Sequence, residues 1–195
     1  MKYNQPDVFL KIVDIDELCQ RYKTGERFKY VYFWGHNQRE PSSIITKSCF
    51  SQWYPSGFTV NDIYYATAEH YMMAAKARLF EDKEILQEIL KANNPGLAKS
   101  LGRQVRGFVE KIWDEQCLSI VIEGNFAKFS QNRQLADFLL STQQRVLVEA
   151  SPTDKIWGIG LAQDAPNIDN PLTWQGKNLL GFALMAVRQK LKMCY

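Results

Sequence analysis

Apolar residues recur every three or four positions over most of this chain after residue 66, and that spacing is typical of amphipathic α-helices. Several of these stretches begin at good capping residues, namely Thr67, Asp82 and Asn94, the last of which precedes a proline. The pattern predicts helices over 67–77, 82–90, 94–102, 108–128, 131–140 and 178–192. Helix therefore predominates in the last two thirds of the sequence.

Strand signals concentrate in the first third of the chain, where aromatic and β-branched residues cluster between turn residues. The candidate strands are 28–34, 49–54, 58–60 and 63–65, with 146–148 further along. Asn61-Asp62 is a turn signal between two of them and predicts a hairpin. We therefore expect an α+β fold, predominantly helical, in which a small antiparallel β unit precedes a helical body.

A chain of 195 residues is long enough to bury a core as one domain. We assign residues 28–195 to this domain. Residues 1–27 are expected to form an N-terminal extension that packs on the body, with a short strand at 9–13 and a short helix at 16–23.

The net charge and the spacing of the cysteines limit the kinds of ligand and cofactor that we expect. A net charge of +3 is too mild to indicate a nucleic-acid-binding protein and is compatible with a small anionic substrate. The four cysteines are widely spaced without a CxxC pair, which predicts neither a zinc site nor disulfides and favours a reducing compartment. The two histidines are isolated from acid or thiol pairs, so we expect no metal and no cofactor.

The first residues lack the apolar run of a secretory signal, and no apolar run approaches the roughly 20 residues that span a bilayer. We therefore expect no membrane association. The cytosol is the expected location, and the nucleus stays open.

The helix that begins at Thr67 carries the first candidate chemistry. Residues seven apart on a helix differ by about 20° in azimuth, so Glu69 and Lys76 share a face, roughly 10 Å apart along the axis. Met72 and Met73 lie between them. This pair is either solvated on a helix edge or forms two walls of a pocket, and a glutamate in a first turn is also favoured by the helix dipole.

The segment 150–175 is a long predicted loop that contains tryptophans and glycines, which is typical of a functional loop. Asp154 and Trp157 stand near its start; the tryptophan offers a flat face for stacking a base, and a core position is its alternative. Trp113, in the middle of a predicted helix, is favoured as a core residue by pattern alone.

Several segments taken together resemble the YbiA/NADAR family. The resemblance covers roughly residues 28 to 191 and leaves out the first 27. The segments that carry it are Phe33-Trp34-Gly35, Phe50-Ser51-Gln52-Trp53-Tyr54-Pro55, Ala68-Glu69-His70-Tyr71-Met72-Met73-Ala74-Ala75-Lys76-Ala77, Leu101-Gly102-Arg103, Trp113, Gly124-Asn125-Phe126-Ala127-Lys128-Phe129, Leu147-Val148-Glu149-Ala150-Ser151, Asp154-Lys155-Ile156-Trp157-Gly158-Ile159-Gly160, Gly176-Lys177-Asn178-Leu179-Leu180-Gly181 and Leu184-Met185-Ala186-Val187-Arg188.

The resemblance implies a YbiA-like fold and an N-glycosidase that acts on ribosylated bases. One branch is associated with phosphoribosylamino-pyrimidine intermediates of riboflavin synthesis, and another with the removal of ADP-ribose from guanine in nucleic acid. The resemblance implies Glu69, Trp113, Asp154 and Trp157 as active-site residues, and Lys76 and Asn178 match the family's helix lysine and its closing Gly-x-Asn element. We expect the catalytic residues to be Glu69, Asp154 and Lys76, and the substrate-binding residues to be Trp113, Trp157, Gly35, Arg39, Arg103 and Asn178.

Cleavage of a C1′–N bond passes through an oxocarbenium-like sugar, which a nearby carboxylate stabilises. We expect Glu69 on the sugar side and Asp154 at the leaving base or the water. Lys76, Arg39 and Arg103 are expected to receive a phosphate, and Lys76 is alternatively a covalent nucleophile.

This sequence departs from the family at Ser51-Gln52-Trp53-Tyr54, where many members read Ser-Asn-Phe, and at Leu118, where methionine is frequent. The first departure bears on pocket shape and leaves the substrate open; the second is a conservative core change. The hypotheses are a glycosidase for a phosphorylated ribosyl-pyrimidine, a hydrolase of ADP-ribosylated guanine, and a non-catalytic module that binds ADP-ribose or a nucleotide.

Overall fold

The computed structural model describes residues 13–35 and 44–194. Its helices are α1 (Ile15–Lys23), α2 (Ala68–Leu79), α3 (Lys83–Lys91), α4 (Pro95–Gly102), α5 (Glu110–Ser130), α6 (Arg133–Ser141) and α7 (Leu179–Cys194). Its strands are β1 (Tyr30–Phe33), β2 (Phe58–Val60), β3 (Ile63–Tyr65) and β4 (Val146–Glu149), and short 3₁₀ turns lie at Lys47–Phe50 and Pro171–Thr173. The predicted α+β fold with helix predominating is confirmed.

The strands form two separate pairs. β2 and β3 make the predicted antiparallel hairpin, and both turn residues, Asn61 and Asp62, have the positive φ that a tight hairpin turn requires. β1 instead pairs in parallel with β4, so that Phe33 lies opposite Glu149. The antiparallel unit expected in the first third is therefore the hairpin alone, because β1 finds its partner more than a hundred residues later.

The prediction of a strand at 49–54 is wrong, because the start of this segment belongs to the 3₁₀ turn Lys47–Phe50. Its carbonyl groups are bound by a buried lysine instead of by a neighbouring strand. The amine of Lys128 donates hydrogen bonds to the carbonyl oxygens of Cys49 and Ser51, at 2.7 and 2.9 Å. Strand-forming residues alone cannot reveal a partner that comes from a distant helix.

The predicted caps are confirmed. The side chains of Thr67, Asp82 and Asn94 each accept a backbone N–H hydrogen bond in the first turn of α2, α3 and α4, respectively. Observed helix bounds differ from the predicted ones by one or two residues at some ends, which is the usual uncertainty of helix termini.

Helix α2 lies at the centre of the body, packed against α3, α4 and α5. Residues 68–74 are all buried, so the helix has no solvent-facing side over its first two turns. This burial includes Glu69 and His70. The histidine ring is bound on both sides, with Nδ1 at 2.8 Å from Thr67 Oγ1 and Nε2 at 3.1 Å from the carbonyl oxygen of Ala92. Glu69 is therefore buried by the position of its helix.

The part of the extension that is described packs on the body. Leu18 of α1 is fully buried, and the thiol of Cys19 lies 3.5 Å from the carbonyl oxygen of Pro171. The strand predicted at 9–13 lies almost wholly outside the described residues. All four cysteines are free thiols. Within the described ranges, every helix is too short or too polar to span a bilayer.

The buried amine of Lys128 generates a prediction about stability. Burial lowers the pKa of Lys128 to about 8, whereas the unfolded chain regains the ordinary value of about 10.4. Between these values the unfolded chain binds more protons, so the stability of the wild type should rise with pH. Relative to Lys128→Met, we expect its free energy of unfolding to increase by about 1–3 kcal/mol between about pH 7.5 and 10.

Urea denaturation of both proteins at several pH values measures this difference. The comparison does not depend on whether the variant is more or less stable at neutral pH, because only the slope is tested. If the difference in the free energy of unfolding between the two proteins stays constant over this range, the pKa of Lys128 is not lowered by burial and the prediction is wrong.

Candidate functional site

One cavity of about 340 Å³ lies where α2, α4, α5, the end of β4 and the loop after β4 converge. Acidic, basic and aromatic side chains all line this cavity. The carboxylates are Glu69, Glu149 and Asp154; the cations are Lys76, Lys99 and Arg103; and the tryptophans are Trp53, Trp113 and Trp157. A larger cavity of about 460 Å³ beside α5 and α7 has no carboxylate, histidine or cysteine among its described lining residues, so it lacks the paired acids and bases of the first cavity.

Most of the candidates from the sequence meet in this one cavity. Those that line it are Glu69, Lys76, Arg103, Trp113, Asp154 and Trp157. Glu69 and Lys76 are thus two walls of a pocket and not a solvated pair. Gly35 is not among the lining residues and follows β1 with a φ of +78°, a turn conformation suited to glycine. Arg39 lies outside the described residues.

Glu69 is held deep in the cavity wall. Its residue is 5% exposed, its backbone N–H donates to the carbonyl oxygen of Gln52 at 3.0 Å, and the Trp53 side chain hydrogen-bonds its carboxylate. Burial raises the pKa of Glu69 to about 7, and the nearby Asp154 adds to this, while Lys99 and the Trp53 hydrogen bond oppose it. A carboxyl group with such a pKa exchanges protons readily at neutral pH.

Asp154 organises the loop that carries Trp157. Its Oδ1 accepts hydrogen bonds from the backbone N–H groups of Ile156 and Trp157, at 2.9 and 2.8 Å. Its own N–H donates to Ser151 Oγ at 3.2 Å. The aspartate therefore closes a tight turn that fixes Trp157 at the cavity, and its Oδ2 makes no hydrogen bond with the described residues.

The amine of Lys76 lies against aromatic faces. It is 4.1 Å from the ring centroid of Phe108 and 5.5 Å from that of Trp113. Burial lowers the pKa of Lys76, and no carboxylate of the described residues forms a salt bridge with it. The rings thus shield the amine from water while leaving it at the cavity.

Asn178 does not line the cavity but fixes the strand end next to it. It is fully buried with a φ of +54°, which asparagine tolerates better than most residues. Its Oδ1 accepts the backbone N–H of Glu149 at 3.0 Å, and its Nδ2 donates to the carbonyl oxygen of Leu147 at 2.9 Å. The asparagine therefore acts on the position of Glu149, not by direct contact with the cavity.

Sequence reasoning missed Lys99 and Glu149 as site residues and treated Trp53 only as part of a divergent motif. Glu149 had a usable signal, because residues at the carboxyl end of a strand often face a site. Lys99 had none, since only the packing of α4 on α2 brings it to the cavity. Trp53 reaches Glu69 because the segment forms a turn where a strand was predicted.

No cluster of histidine, cysteine and carboxylate side chains suited to a metal ion occurs within 13–35 and 44–194. The site as described is a mixed acid, base and aromatic pocket. It is suited to binding a flat base and an anion and to moving protons between them.

Comparisons with known proteins point to the same chemistry. Residues 32–192 match the model of the NADAR domain family. The chain is 47% identical over 171 residues to N-glycosidase R617 of Acanthamoeba polyphaga mimivirus, which covers 85% of this chain and 98% of that protein. It is 35% identical over 144 residues to N-glycosidase Npun_R5314 of Nostoc punctiforme, covering 74% and 85%.

Its fold is similar to the NMR structure of the Escherichia coli protein YbiA. The TM-score is 0.68 with 26% sequence identity, over 86% of this chain and 88% of that one. The structural similarity therefore covers most of the chain.

The raised pKa of Glu69 predicts that this residue costs stability at neutral and higher pH. The folded chain holds a proton up to about pH 7, while the unfolded chain loses it near pH 4.3. Folding is therefore favoured least above pH 7, where a buried charge must form. We expect the free energy of unfolding of Glu69→Gln to increase by about 1–3 kcal/mol relative to that of wild type as the pH rises from about 4.5 to 8.

Thermal or urea unfolding across this range is the measurement. Glu88→Gln, on the exposed face of α3, is the matched control for the loss of one negative charge. Parallel stability curves for wild type and Glu69→Gln would show that Glu69 is not desolvated.

Proposed function

The chain belongs to the NADAR domain family and is a hydrolase of N-glycosidic bonds, and on that premise we propose that it cleaves the C1′–N bond of a phosphorylated ribosyl-pyrimidine. The observation that carries the proposal is the convergence of Glu69 and Asp154 with stacking tryptophans and cations in a cavity of about 340 Å³. This volume is near the lower end of the roughly 300–1,000 Å³ of ligand pockets. It suits one ribosylated base with a phosphate better than ADP-ribose joined to guanine.

We assign Glu69 to the sugar side of the bond. As a carboxylate it stabilises the positive charge that develops at C1′, and with a pKa of about 7 it accepts a proton from the attacking nucleophile. Asp154 lines the same cavity on the turn that holds Trp157, and we assign its second oxygen to the leaving base or to a water molecule. The division of roles follows from these different surroundings.

The remaining lining residues suit the two ends of the substrate. Trp113 and Trp157 offer faces for a base, and such stacking contributes on the order of 1–3 kcal/mol per base. Lys99 and Arg103 supply positive charge for a phosphate, and arginine can bind it in a bidentate manner. Both lie on or at the end of α4, so they form one anion-binding side.

The activity is tested by incubating the protein with candidate substrates and identifying the released base by mass spectrometry. We expect release from a phosphoribosylamino-pyrimidine, and a loss of about 10²–10⁴-fold in kcat for Glu69→Gln with the fold retained. Circular dichroism checks the fold, and Lys111→Gln on the exposed side of α5 serves as the control variant.

The outcomes separate the alternatives. Release only from ADP-ribosylated guanine would replace the proposed substrate. Binding without release from either class would identify a nucleotide-binding module, and a Glu69→Gln rate within a few-fold of wild type would remove the role given to Glu69.

Lys76 is the candidate for covalent attack on the sugar. A half-buried amine that forms no salt bridge with the described residues has a larger neutral fraction, and a neutral lysine can displace a base at C1′. Ring opening then gives a Schiff base that water hydrolyses. We expect borohydride to trap an adduct at Lys76 with substrate present, detected by intact mass and peptide mapping.

Lys76→Arg keeps the charge but not the nucleophile, and should lose both the adduct and most of kcat. If Lys76 instead binds a phosphate, no adduct will form on wild type. Lys76→Arg will then retain kcat with a raised KM.

A further inference from the structure

Glu149 is a carboxylate of the cavity that the proposed function does not use. It is the last residue of β4 and its backbone is fixed on both sides. Its N–H donates to Asn178 Oδ1 at 3.0 Å, and its carbonyl oxygen accepts the N–H of Ile159 at 3.0 Å. A Cβ on Gly158 would lie 2.8 Å from that same carbonyl oxygen, so the loop approaches the strand end closely. The backbone from which the Glu149 side chain extends is therefore held in place.

The carboxyl group of Glu149 is buried and incompletely bound. Its Oε2 has no hydrogen-bond partner among the described residues. A buried acceptor without a donor is costly, and one that lies at a cavity with other ionisable groups is a candidate for a functional role. Protonation removes this cost, because a neutral carboxylic acid becomes a hydrogen-bond donor.

The other carboxylates of the cavity reinforce the protonated form of Glu149. Burial raises the pKa of Glu149 to about 8, with contributions from the negative charges of Asp154 and Glu69, and Lys99 opposes the shift. Asp154 has a different task in the fold, since its Oδ1 already accepts hydrogen bonds from the backbone N–H groups of Ile156 and Trp157 and so holds the turn.

We propose that Glu149 is the general acid that protonates the leaving base while Glu69 acts as the base, a division of roles that rests on the proposed N-glycosidase function. The nitrogen of a ribosylamine is a poor leaving group unless it gains a proton as the bond breaks. Glu149 reaches the cavity from the end of β4, and Glu69 reaches it from the first turn of α2. The two carboxyls thus approach the bond from different elements.

The step balances as follows. The C1′–N bond breaks with its electron pair passing to the nitrogen, which takes the proton of Glu149. The nucleophile, the Lys76 amine or a water molecule, forms a bond to C1′ and passes its proton to Glu69. Where Lys76 is the nucleophile, a water molecule then hydrolyses the bond between its nitrogen and C1′, which frees the amine and leaves the hydroxyl on the sugar. Transfer of the proton from Glu69 to Glu149 restores the starting state. Net hydrolysis adds one water, as O–H at C1′ and N–H at the base.

Burial raises the pKa of both carboxyls towards neutral pH, to about 7 for Glu69 and about 8 for Glu149. The pair is therefore expected to share one proton around pH 7 to 8, and the productive form is the one in which Glu149 holds it. The rate should therefore fall below this range as Glu69 gains a proton. It should also fall above this range as Glu149 loses its proton, which gives a bell-shaped profile.

The test compares a natural leaving group with an activated one. Wild type, Glu149→Gln and Asp154→Asn are assayed on a ribosylamine phosphate and on a para-nitrophenyl riboside phosphate, whose phenolate leaves without a proton. For Glu149→Gln we expect a loss of about 10²–10⁴-fold on the ribosylamine but a much smaller loss on the activated substrate. The alkaline limb of the pH profile should also disappear in this variant.

Equal losses on both substrates, or a retained alkaline limb, would overturn the role of Glu149 and indicate a structural one. The same pattern in Asp154→Asn instead would assign the acid to Asp154. If wild type cleaves neither substrate, the proposed function itself fails, so this failure is distinguishable from failure of the Glu149 assignment.

Discussion

The burial of helix α2 is the constraint on which the site depends. Its first two turns are enclosed by α3, α4 and α5, and enclosure forces the carboxyl group of Glu69 out of water. Desolvation then raises its pKa to about 7. The same packing brings Lys99 of α4 and Trp113 of α5 to the cavity. The packing around α2 therefore accounts both for the raised pKa of Glu69 and for the side chains that line the cavity.

The site also depends on buried polar groups that lie outside the cavity. Lys128 binds the carbonyl oxygens of the turn that leads to Trp53, and Trp53 hydrogen-bonds Glu69. Asn178 fixes the end of β4 in the same way, from which Glu149 extends. The amine of Lys128 is buried without an ion pair among the described residues, so its charged form lowers the stability of the fold. We interpret this cost as the consequence of holding reactive carboxyls in fixed positions.

The carboxylates of one small cavity differ because their surroundings differ. Glu69 and Glu149 are desolvated and hold protons near neutral pH, while Asp154 accepts two backbone N–H groups. Burial favours the protonated form of the two glutamates, whereas the hydrogen bonds to Asp154 hold its turn in place. Two carboxyls that gain and lose protons near neutral pH suit an enzyme that must take one proton and give another. Lys99 and Arg103, on and at the end of α4, place positive charge for an anionic substrate beside these carboxyls.

The amino-acid sequence by itself determined the helices, their caps and the hairpin, because these depend on residues close together in the chain. Periodic apolar positions define α2 to α7, and Asn61-Asp62 specifies a turn that few other residues adopt. The sequence also indicated Glu69, Asp154 and the tryptophans as candidates, although the family resemblance contributed more to this than helical spacing. Glu69 and Lys76 share a helix face, but spacing did not reveal whether that face met solvent or a cavity.

Only the tertiary structure decided which strand pairs with β1, why residues 49–54 form a turn and where the cavity lies. Each of these depends on a contact between distant segments: β1 with β4, Lys128 with Cys49 and Ser51, and α4 with α2. The protonation of Glu69 and Glu149 follows from the same contacts, since desolvation exists only once the chain has closed around a group. Local sequence specifies which side chains are available, and long-range packing determines the dielectric environment and the neighbours that give them a chemical role.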